Sequence, residues 1–336
     1  MSAPSEPATI VPLLKAALRR RMGSAIEVED VEIATLGGSN RTLLFDCVDG
    51  EARRRLVLRQ ETLQFARSPF LPPHTQYVLL EVAYRGGVPV PEPIFELAPE
   101  DELGRGYVVA CVRGETLPKR LLSDAEFAPA RARLVGQAGH ILATLHRIDT
   151  AEVAILEAVE DSVDALAAQR AHYDFYGEPH PVLDYALRWL ERQRPPLRAK
   201  VFLHGDFRIG NMLVDPKDGI RALLDWECAH LGAPEEDLAW FCMRAWRFGN
   251  IARPAGGCGS RAELFAAYAA AGGAVVDPAA VRWWEIYGLV RWALYNIMQV
   301  YGHVSGQRRS PAFAACGRNT AMIEYDLLLT LAGRYD

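Results

Sequence analysis

Hydrophobic and polar residues alternate over the first third of the chain in the manner of β-strands. The segments VEIATLGGSNRTLLFDCV (31–48), RRLVLRQ (54–60) and RGYVVACV (105–112) are rich in β-branched and apolar residues, which predicts a small sheet. Between them, TQYVLLEVAYRGG (75–87) has the spacing of a helix and ends in glycines that suit a helix C-terminus. The prolines of VPVPEP (88–93) then predict an extended connection.

Helical periodicity replaces this alternation in the rest of the chain. The segment ARARLVGQAGHILATLHRID (130–149) places several apolar residues on one helical stripe. These residues are Leu134, Ala138, Ile141, Leu142 and Leu145. Residues 278–301 and 319–335 are also long and helical, and two short β-like pieces lie among the helices. The pattern predicts an α+β protein with a β-rich N-lobe, residues 1–110, and a larger helical C-lobe, residues 111–336.

Composition and charge narrow the class of partner. The 336 residues are 50% hydrophobic and carry a net charge of −5 with a pI of about 6.0, so we expect neither nucleic acid nor an anionic membrane as partner. The arginines of RRRLVLR (53–59) are interpreted as a solvated strand edge. The first segment, with Lys15 and the arginines at 19–21, fits an amphipathic helix better than a signal peptide. No apolar run approaches the ~18–20 residues of a membrane span.

The six cysteines indicate the cellular compartment. They are scattered along the chain without a CxxC pair, and several of them lie in apolar stretches. This usage favours small core residues in a reducing compartment over a disulfide framework or a zinc site. We therefore expect a cytoplasmic protein.

Three oxygen-bearing side chains interrupt apolar strands in the predicted C-lobe. Asp206 follows VFLHG, Asn211 precedes MLVD, and Asp225 ends the apolar run ALLD. Two strands joined by a tight loop would bring the three side chains to one end of a hairpin. Carboxylate and amide oxygens suit Mg²⁺, which usually keeps some waters and is completed by substrate phosphates. A further carboxylate beside the metal can take a proton from an attacking hydroxyl, so the set predicts phosphoryl transfer.

These residues resemble the catalytic motifs of the aminoglycoside phosphotransferase and choline kinase family. HGD…N (204–211) resembles the catalytic loop of that family and LDWE (224–227) its metal-binding motif. LGGSNRTLLF resembles the phosphate loop, GVPVPEP the turn before the inter-lobe strand, and YVVACVRGETL the hinge, so the resemblance covers most of the chain. VLRQ, LDWECAHLGAPEEDLAWF and RWALYN are similar to the branch fused to acyl-CoA dehydrogenases. The resemblance implies a protein-kinase-like fold that binds ATP in its cleft.

Roles for individual residues follow from the resemblance. It implies that Asp206 is the catalytic base or the carboxylate that orients the hydroxyl, and that Asn211 and Asp225 hold Mg²⁺ against the ATP phosphates. His204 and Asp237 are implied to support the catalytic loop. The residues implied to bind the nucleotide are Gly37, Gly38, Ser39, Asn40, Arg59, Val109, Cys111 and Val112.

The sequence departs from the kinase pattern at two places. The strand lysine that grips the α- and β-phosphates in kinases is Arg59 here, a permanently charged fork that can hold phosphate oxygens in two places. The helix position that should pair with it falls near Gln76, while the nearest acid is Glu81. The glycine loop is reduced to GGSN (37–40), whose backbone N–H groups can still cradle phosphate.

Other polar and aromatic residues carry weaker signals. Glu227 either approaches the metal or faces solvent. The acidic stretch EAVEDSVD (157–164) is interpreted as a solvated helix face in preference to a cluster that binds polycations. The tryptophans of the second half are interpreted as helical core in preference to a substrate cage. They are Trp240, Trp246, Trp283, Trp284 and Trp292.

The predicted function is an ATP- and Mg²⁺-dependent kinase that phosphorylates a hydroxyl of a small molecule. Similarity to the acyl-CoA dehydrogenase branch favours a hydroxy acid, its CoA ester or another metabolite as acceptor. An antibiotic, either an aminoglycoside or a macrolide, is the alternative. An inactive nucleotide-binding pseudokinase is an alternative of another class, which Arg59 and Gln76 keep open. No kinase-type activation segment follows Asp225, so a protein substrate is not expected.

Overall fold

A computed structural model describes residues 7–34, 40–61, 68–196 and 198–334 of the chain. By their contacts these residues fall into two units. The first unit contains the chain up to Gly114 together with Arg221–Glu227. The second contains Glu115–Ile220 and the chain from Cys228 onward. The chain therefore passes from one unit to the other at Gly114, at Ile220 and at Glu227.

The first unit is built on an antiparallel sheet. Its described elements are α1 (Pro7–Met22), β1 (Glu27–Ala34), β2 (Asn40–Asp49), β3 (Ala52–Glu61), α2 (Pro73–Arg85), β4 (Pro93–Glu96) and β5 (Gly106–Ala110). The strands pair in the spatial order β1-β2-β3-β5-β4. Apolar residues of α1 join the core of this sheet, where Leu14, Phe45 and Leu58 are fully buried. The amphipathic helix predicted at the start of the chain and the helix predicted over 75–87 are both confirmed.

The arginine-rich strand lies inside this sheet rather than at its edge. β3 lies between β2 and β5, so the predicted strand edge is wrong. Leu56 and Leu58 of β3 are buried, whereas Arg53 and Arg55 contact the carboxylate of Asp46 on β2 at 2.8 and 3.1 Å. Arginines remain partly solvated in a central strand because an antiparallel sheet can bury one face and expose the other.

The second unit is mostly helical. Its described helices are α3 (Pro118–Ser123), α4 (Ala128–His146), α5 (Glu160–Tyr176), α6 (Pro181–Arg192), α7 (Pro234–Cys242), α8 (Arg261–Ala270), α9 (Pro278–Val304) and α10 (Pro311–Leu331). Its strands are β6 (Val201–Leu203), β7 (Met212–Asp215), β8 (Gly219–Leu223), which runs on into the first unit, and β9 (His230–Gly232). β6 pairs with β9, and β7 pairs with β8.

The helices of this unit bury the stripes that the sequence predicts. All five apolar residues singled out on α4 are buried, which confirms that helix. α9 has 27 residues and packs against α5, α6, α7 and α10. Four of the six free cysteines are buried, as expected of small core residues. Within the described ranges, no helix combines the length and apolar character needed to cross a membrane.

Candidate active site

Asp206 lies in a tight loop after β6, and three other side chains donate hydrogen bonds to its carboxylate. Nε of Arg208 donates to its two oxygens at 3.0 and 3.2 Å. Nδ2 of Asn211 donates to Oδ2 at 2.7 Å, and the indole N–H of Trp240 donates to Oδ1 at 2.9 Å. The carboxylate is therefore fixed by the loop and by α7, while 17% of the side chain remains exposed.

The amide of Asn211 is oriented by the same loop. Its Nδ2 also donates to the backbone carbonyl of Asp206 at 3.0 Å, and the residue is 2% exposed. Because the amide nitrogen is directed at Asp206, the amide oxygen points away from it. Asn211 therefore offers an oxygen, the atom that a hard cation requires.

The buried carboxylate of Asp237 binds the backbone of this loop. Its oxygens accept hydrogen bonds from the N–H groups of His204 at 2.8 Å and Gly205 at 2.9 Å, and Nε2 of His146 lies 3.3 Å from Oδ2. Burial raises the pKa of Asp237, but the contacts with His146 and His204 outweigh burial and hold that pKa below its usual value. His204 is fully buried, and its Nδ1 accepts a hydrogen bond of 3.2 Å from the N–H of Asp206.

The loop requires glycine at position 205. Gly205 has a φ of +76°, and a Cβ on it would overlap the carbonyl oxygen of Cys228. Arg291 of α9 is 1% exposed and donates to the carbonyl of Gly205 at 3.1 Å and to that of Cys228 at 3.4 Å. The turn thus needs glycine both for its dihedral angle and for space.

In the first unit, Arg59 of β3 pairs with Asp225. Nη2 of Arg59 lies 2.6 Å from Oδ1 of Asp225. Burial lowers the pKa of Arg59, yet Asp225, Tyr107 and Glu227 together outweigh burial, so that pKa lies above its usual value. Asp225 has a φ of 59°, a left-handed conformation that is uncommon outside glycine and that Asp adopts more readily than most residues. Such conformations concentrate at functional sites.

Gln76 and Glu81, the two alternatives for pairing with Arg59, each bind a tyrosine. Gln76 is buried, and its Oε1 accepts a hydrogen bond of 3.2 Å from the hydroxyl of Tyr107, which lies opposite Arg59 in the pairing of β3 with β5. Glu81 hydrogen-bonds the hydroxyl of Tyr77, and burial together with Glu81 raises the pKa of Tyr77 to about 12. Arg59 itself forms an ion pair with Asp225.

The predicted nucleotide-binding residues are only partly within the described ranges. Gly37, Gly38 and Ser39 lie outside the described residues. Asn40, the last residue of the predicted phosphate loop, begins β2. Its Nδ2 donates to Oε2 of Glu227 at 3.4 Å.

The residues predicted for the hinge lie at the end of β5. Val109 is buried and pairs with Val57 of β3. Cys111 and Val112 follow the strand and are half-buried, and the N–H of Cys111 donates to the carbonyl of Arg55 at 3.0 Å. Burial raises the pKa of the Cys111 thiol above its usual value.

Arg208, in the loop that carries Asp206, stacks on one member of an aromatic cluster. The guanidinium carbon of Arg208 lies 4.9 Å from the ring centroid of Trp246. The ring of Trp246 lies 4.9 Å from that of Trp292 and 5.7 Å from that of Trp240. Trp240, Trp246 and Trp283 are buried, in line with their interpretation as core residues, but Trp240 and Trp246 also contact the site.

The acidic stretch at 157–164 is a solvated face only in part, because Glu157 and Glu160 are exposed while two aspartates have partners in the fold. Asp161 is buried and accepts hydrogen bonds from Gln169 at 2.8 Å and from the hydroxyl of Tyr287 at 3.1 Å. Asp164 pairs with Arg194 through two contacts of 2.9 Å. The solvated face is therefore wrong for these two aspartates, because both are engaged by partners in the fold.

Three residues of the site lie outside the predicted motif positions, although each has a feature in the sequence that could have indicated it. Arg208 is a cation two positions after Asp206. Trp240 is a buried tryptophan, and a buried indole N–H usually has an acceptor. Arg291 lies in an apolar helical stretch, where an arginine is rarely buried without partners.

The fold and a family comparison identify the class of protein to which the chain belongs. One unit with a five-stranded antiparallel sheet and a second, mostly helical unit are the parts of the protein-kinase-like fold. The chain belongs to the phosphotransferase enzyme family, whose profile matches residues 30–284. This match confirms the predicted family and the predicted class of enzyme, a phosphotransferase.

The chain is also similar to individual proteins and solved structures. Acyl-CoA dehydrogenase family member 11 of Gallus gallus is 28% identical over 184 residues, which make up 49% of this chain but 22% of that protein. A candidate aminoglycoside phosphotransferase from Ralstonia eutropha has a TM-score of 0.69 at 20% identity, over 97% of this chain and 98% of that one. A spectinomycin phosphotransferase solved with ADP and spectinomycin has a TM-score of 0.64 at 12% identity, over 95% and 98% of the two chains. These structures share the fold, which confirms the predicted fold class.

Proposed function

We propose that the chain is a kinase that transfers the γ-phosphoryl group of ATP to a hydroxyl of a small molecule, with Mg²⁺ as cofactor. The proposal is based on the environment of Asp206. Its carboxylate accepts hydrogen bonds from three side chains and yet remains partly exposed. A carboxylate fixed in this way can orient a hydroxyl and accept its proton as the phosphoryl group transfers. In this proposal the N-lobe (1–110) binds the nucleotide, and the C-lobe (111–336) supplies the catalytic loop and the acceptor site.

The chemistry of the two proposed ligands suits a magnesium ion. Asn211 would supply its amide oxygen, because its nitrogen is engaged by Asp206, and Asp225 would supply a carboxylate. Within the described residues, no group of three or more His, Cys, Asp or Glu is arranged to hold a metal. Mg²⁺ suits so small a set, because it is usually bound by one or two protein ligands together with phosphates and water. When bound, Mg²⁺ would neutralise charge on the phosphates of ATP.

Arg59 is proposed to hold the phosphates of the nucleotide. A guanidinium is a planar fork that can bind two phosphate oxygens at once, and it is permanently charged. The ADP in the related spectinomycin enzyme supports a nucleotide site of this kind. The other residues proposed to bind ATP are Gly37, Gly38, Ser39, Asn40, Val109, Cys111 and Val112. His204 and Asp237 are proposed to support the loop that carries Asp206.

A hydroxy acid or its CoA ester is the favoured acceptor. The similarity to an acyl-CoA dehydrogenase family member supports an acyl compound. An aminoglycoside is a polycation and calls for free carboxylates, whereas Asp161 and Asp164 are engaged within the fold. A phosphotransferase for antibiotics remains the second candidate, because the spectinomycin enzyme has the same fold.

The test is an assay of ADP formation with Mg·ATP and a panel of hydroxylated acceptors. The panel contains hydroxy acids, their CoA esters, aminoglycosides, macrolides, choline and sugars. Asp206→Asn is the test variant. Asp215→Asn is the matched control, because Asp215 accepts hydrogen bonds from the N–H groups of Lys217 and Asp218 in a turn and has no proposed catalytic role.

The outcomes separate the hypotheses. Acceptor-dependent ADP formation that Asp206→Asn abolishes and Asp215→Asn retains supports the kinase and identifies the acceptor class. Nucleotide binding in a thermal-shift assay without turnover of any acceptor would instead support the pseudokinase. Absence of nucleotide binding in the wild type would overturn the proposal.

A further inference from the structure

The cation closest to the proposed catalytic carboxylate is Arg208. Its Nε lies 3.0 Å from Oδ1 of Asp206, and 27% of its side chain is exposed. The ring of Trp246 lies beneath the guanidinium at 4.9 Å. Stacking on an aromatic face and pairing with a carboxylate both restrict the orientation of the guanidinium. Arg208 is therefore a fixed and partly accessible donor group next to the reacting centre.

We propose that Arg208 selects the acceptor by binding an acyl oxygen that lies close to the acceptor hydroxyl. The inference rests on the proposed function and names the chemical class of acceptor. A guanidinium carries five N–H donors and no acceptor, so it can bind a second oxygen-bearing group while it contacts Asp206. Its preferred partners are carboxylate, phosphate and carbonyl oxygens, and an ammonium group is repelled.

The spacing of the two groups restricts the acceptor further. A hydroxyl that hydrogen-bonds to Asp206 and an oxygen that hydrogen-bonds to Arg208 would lie within roughly 4–7 Å of each other, given ordinary hydrogen-bond lengths. That separation fits a hydroxyl on the β- or γ-carbon of an acyl group. The oxygen belongs to a carboxylate in a free hydroxy acid and to a thioester carbonyl in its CoA ester. Amino sugars and amino alcohols place an ammonium group near the hydroxyl and are disfavoured.

Arg208 acts as a specificity residue in this proposal, and its effect differs from that of a general catalytic cation. A cation that bound the γ-phosphate would serve every acceptor equally. A cation that binds the acyl oxygen affects only acceptors that carry this group. The two roles are therefore separated by acceptors that differ in the acyl group alone.

The test compares acyl acceptors with plain alcohols of the same chain length. ADP formation is measured with β- and γ-hydroxy acids, with their CoA thioesters and with the corresponding alcohols that lack an acyl group. The proteins are the wild type, Arg208→Gln, Arg208→Lys and Arg170→Gln. Arg170 is the matched control, because its guanidinium also pairs with an aspartate, Asp184, at 3.4 Å and lies 5.9 Å from an aromatic ring, that of Tyr173.

Arg208→Gln should raise KM for the acyl acceptors roughly 10- to 100-fold, the loss expected for a hydrogen bond to a charged group. Loss of the hydrogen bonds from Arg208 to Asp206 should also lower kcat about tenfold with every acceptor. The specificity effect is therefore measured as the fall in kcat/KM for acyl acceptors relative to plain alcohols. Arg208→Lys should restore part of the loss, and Arg170→Gln should behave as the wild type. A larger effect on the free acids than on the thioesters would identify the carboxylate as the bound group, and the reverse would identify the thioester carbonyl.

An equal fall in kcat/KM with acyl acceptors and with plain alcohols would overturn the inference, because Arg208 would then act only through the phosphate or through Asp206. A failure of the proposed function is recognised separately, as the absence of ADP formation by the wild type with every acceptor. In that case hydroxy-acid binding is titrated through tryptophan fluorescence in the presence of Mg·ADP. Binding weakened at least about 10-fold by Arg208→Gln would support the inference, and absence of binding to the wild type would overturn it.

Discussion

The indole N–H of Trp240 donates a hydrogen bond of 2.9 Å to Oδ1 of Asp206. Trp240 lies on α7 and is 2% exposed, so a core residue fixes the orientation of the proposed catalytic carboxylate. Trp240→Phe keeps most of the ring but removes the donor. We expect kcat to fall about tenfold with little change in KM, since a hydrogen bond to a charged group contributes about 1.5 kcal/mol.

Trp283→Phe is the matched control for this prediction. Trp283 is also a buried tryptophan, and its N–H donates to the backbone carbonyl of Leu190 at 3.0 Å. Its replacement should lower the free energy of unfolding by a similar amount and leave kcat unchanged. Equal losses of kcat in the two variants would show that the effect of Trp240→Phe comes from packing.

The conformation of the catalytic loop should be sensitive to any side chain at position 205. Gly205→Ala introduces a Cβ that overlaps the carbonyl oxygen of Cys228 at a positive φ, so we expect a loss of several kcal/mol of stability and no activity. Gly177→Ala is the control, because Gly177 has a φ of +63° with no atom within 4 Å of a Cβ. That variant should lose only about 1 kcal/mol. Urea unfolding of both variants measures the difference, and equal losses would refute the steric argument.

The stability of the protein should depend on pH through Asp237. Its pKa is lowered in the folded state because the contacts with His146 and His204 outweigh burial, so the charged form stabilises the fold. This contribution is present above the pKa of about 3.9 of an unfolded aspartate and is lost as the pH falls through the lower folded value. Asp237→Asn removes it and leaves the N–H groups of His204 and Gly205 poorly paired, at a cost of roughly 1–3 kcal/mol each.

Urea unfolding at a series of pH values tests this assignment. The difference between the wild type and Asp237→Asn should shrink as the solution is acidified below about pH 4. Asp326→Asn provides a contrast of opposite sign, because burial outweighs Arg244 and raises the pKa of Asp326. The charged form of Asp326 opposes folding, so this variant should gain stability relative to the wild type as the pH rises. A constant difference for Asp237→Asn at all pH values would contradict the assignment.

Arg59 should contribute to nucleotide affinity. Arg59→Gln removes the proposed phosphate ligand and the partner of Asp225, so we expect the Kd of Mg·ADP to rise about tenfold or more. Arg53→Gln is the control on the same strand, since Arg53 also pairs with an aspartate, Asp46, at 2.8 Å. Isothermal titration measures both, and unchanged affinity in Arg59→Gln would exclude Arg59 from the nucleotide site.

The sequence predicts the parts of the site that depend on local spacing. Asp206 and Asn211 are five positions apart in one loop, so their contact is determined within that loop, and the structure shows it. The helix over 130–149 is predicted equally well, because its apolar stripe has a helical period. Such features depend on neighbouring residues and survive in any fold that preserves the segment.

The features that the sequence does not predict depend on contacts between distant segments. Trp240 meets Asp206 only because α7 packs against the loop, and no local pattern encodes that packing. β3 is an inner strand because β5 pairs with it across an intervening helix and strand. Asp161 is buried because Gln169 and Tyr287 bind it, and acidic composition alone favours solvent at that position.

The return of residues 221–227 to the first unit limits how the chain can be divided or recombined. A fragment ending at Gly114 would leave Arg59 without Asp225. It would also lose the hydrogen bond of 2.8 Å from Leu71 to the carbonyl of Glu227 and that of 2.7 Å from Leu223 to the carbonyl of Pro89. In a chimaera made by a single crossover near residue 114, Arg59 would therefore come from one parent and its partner at position 225 from the other. An exchange of the first unit between members of the family would have to transfer residues 221–227 together with it.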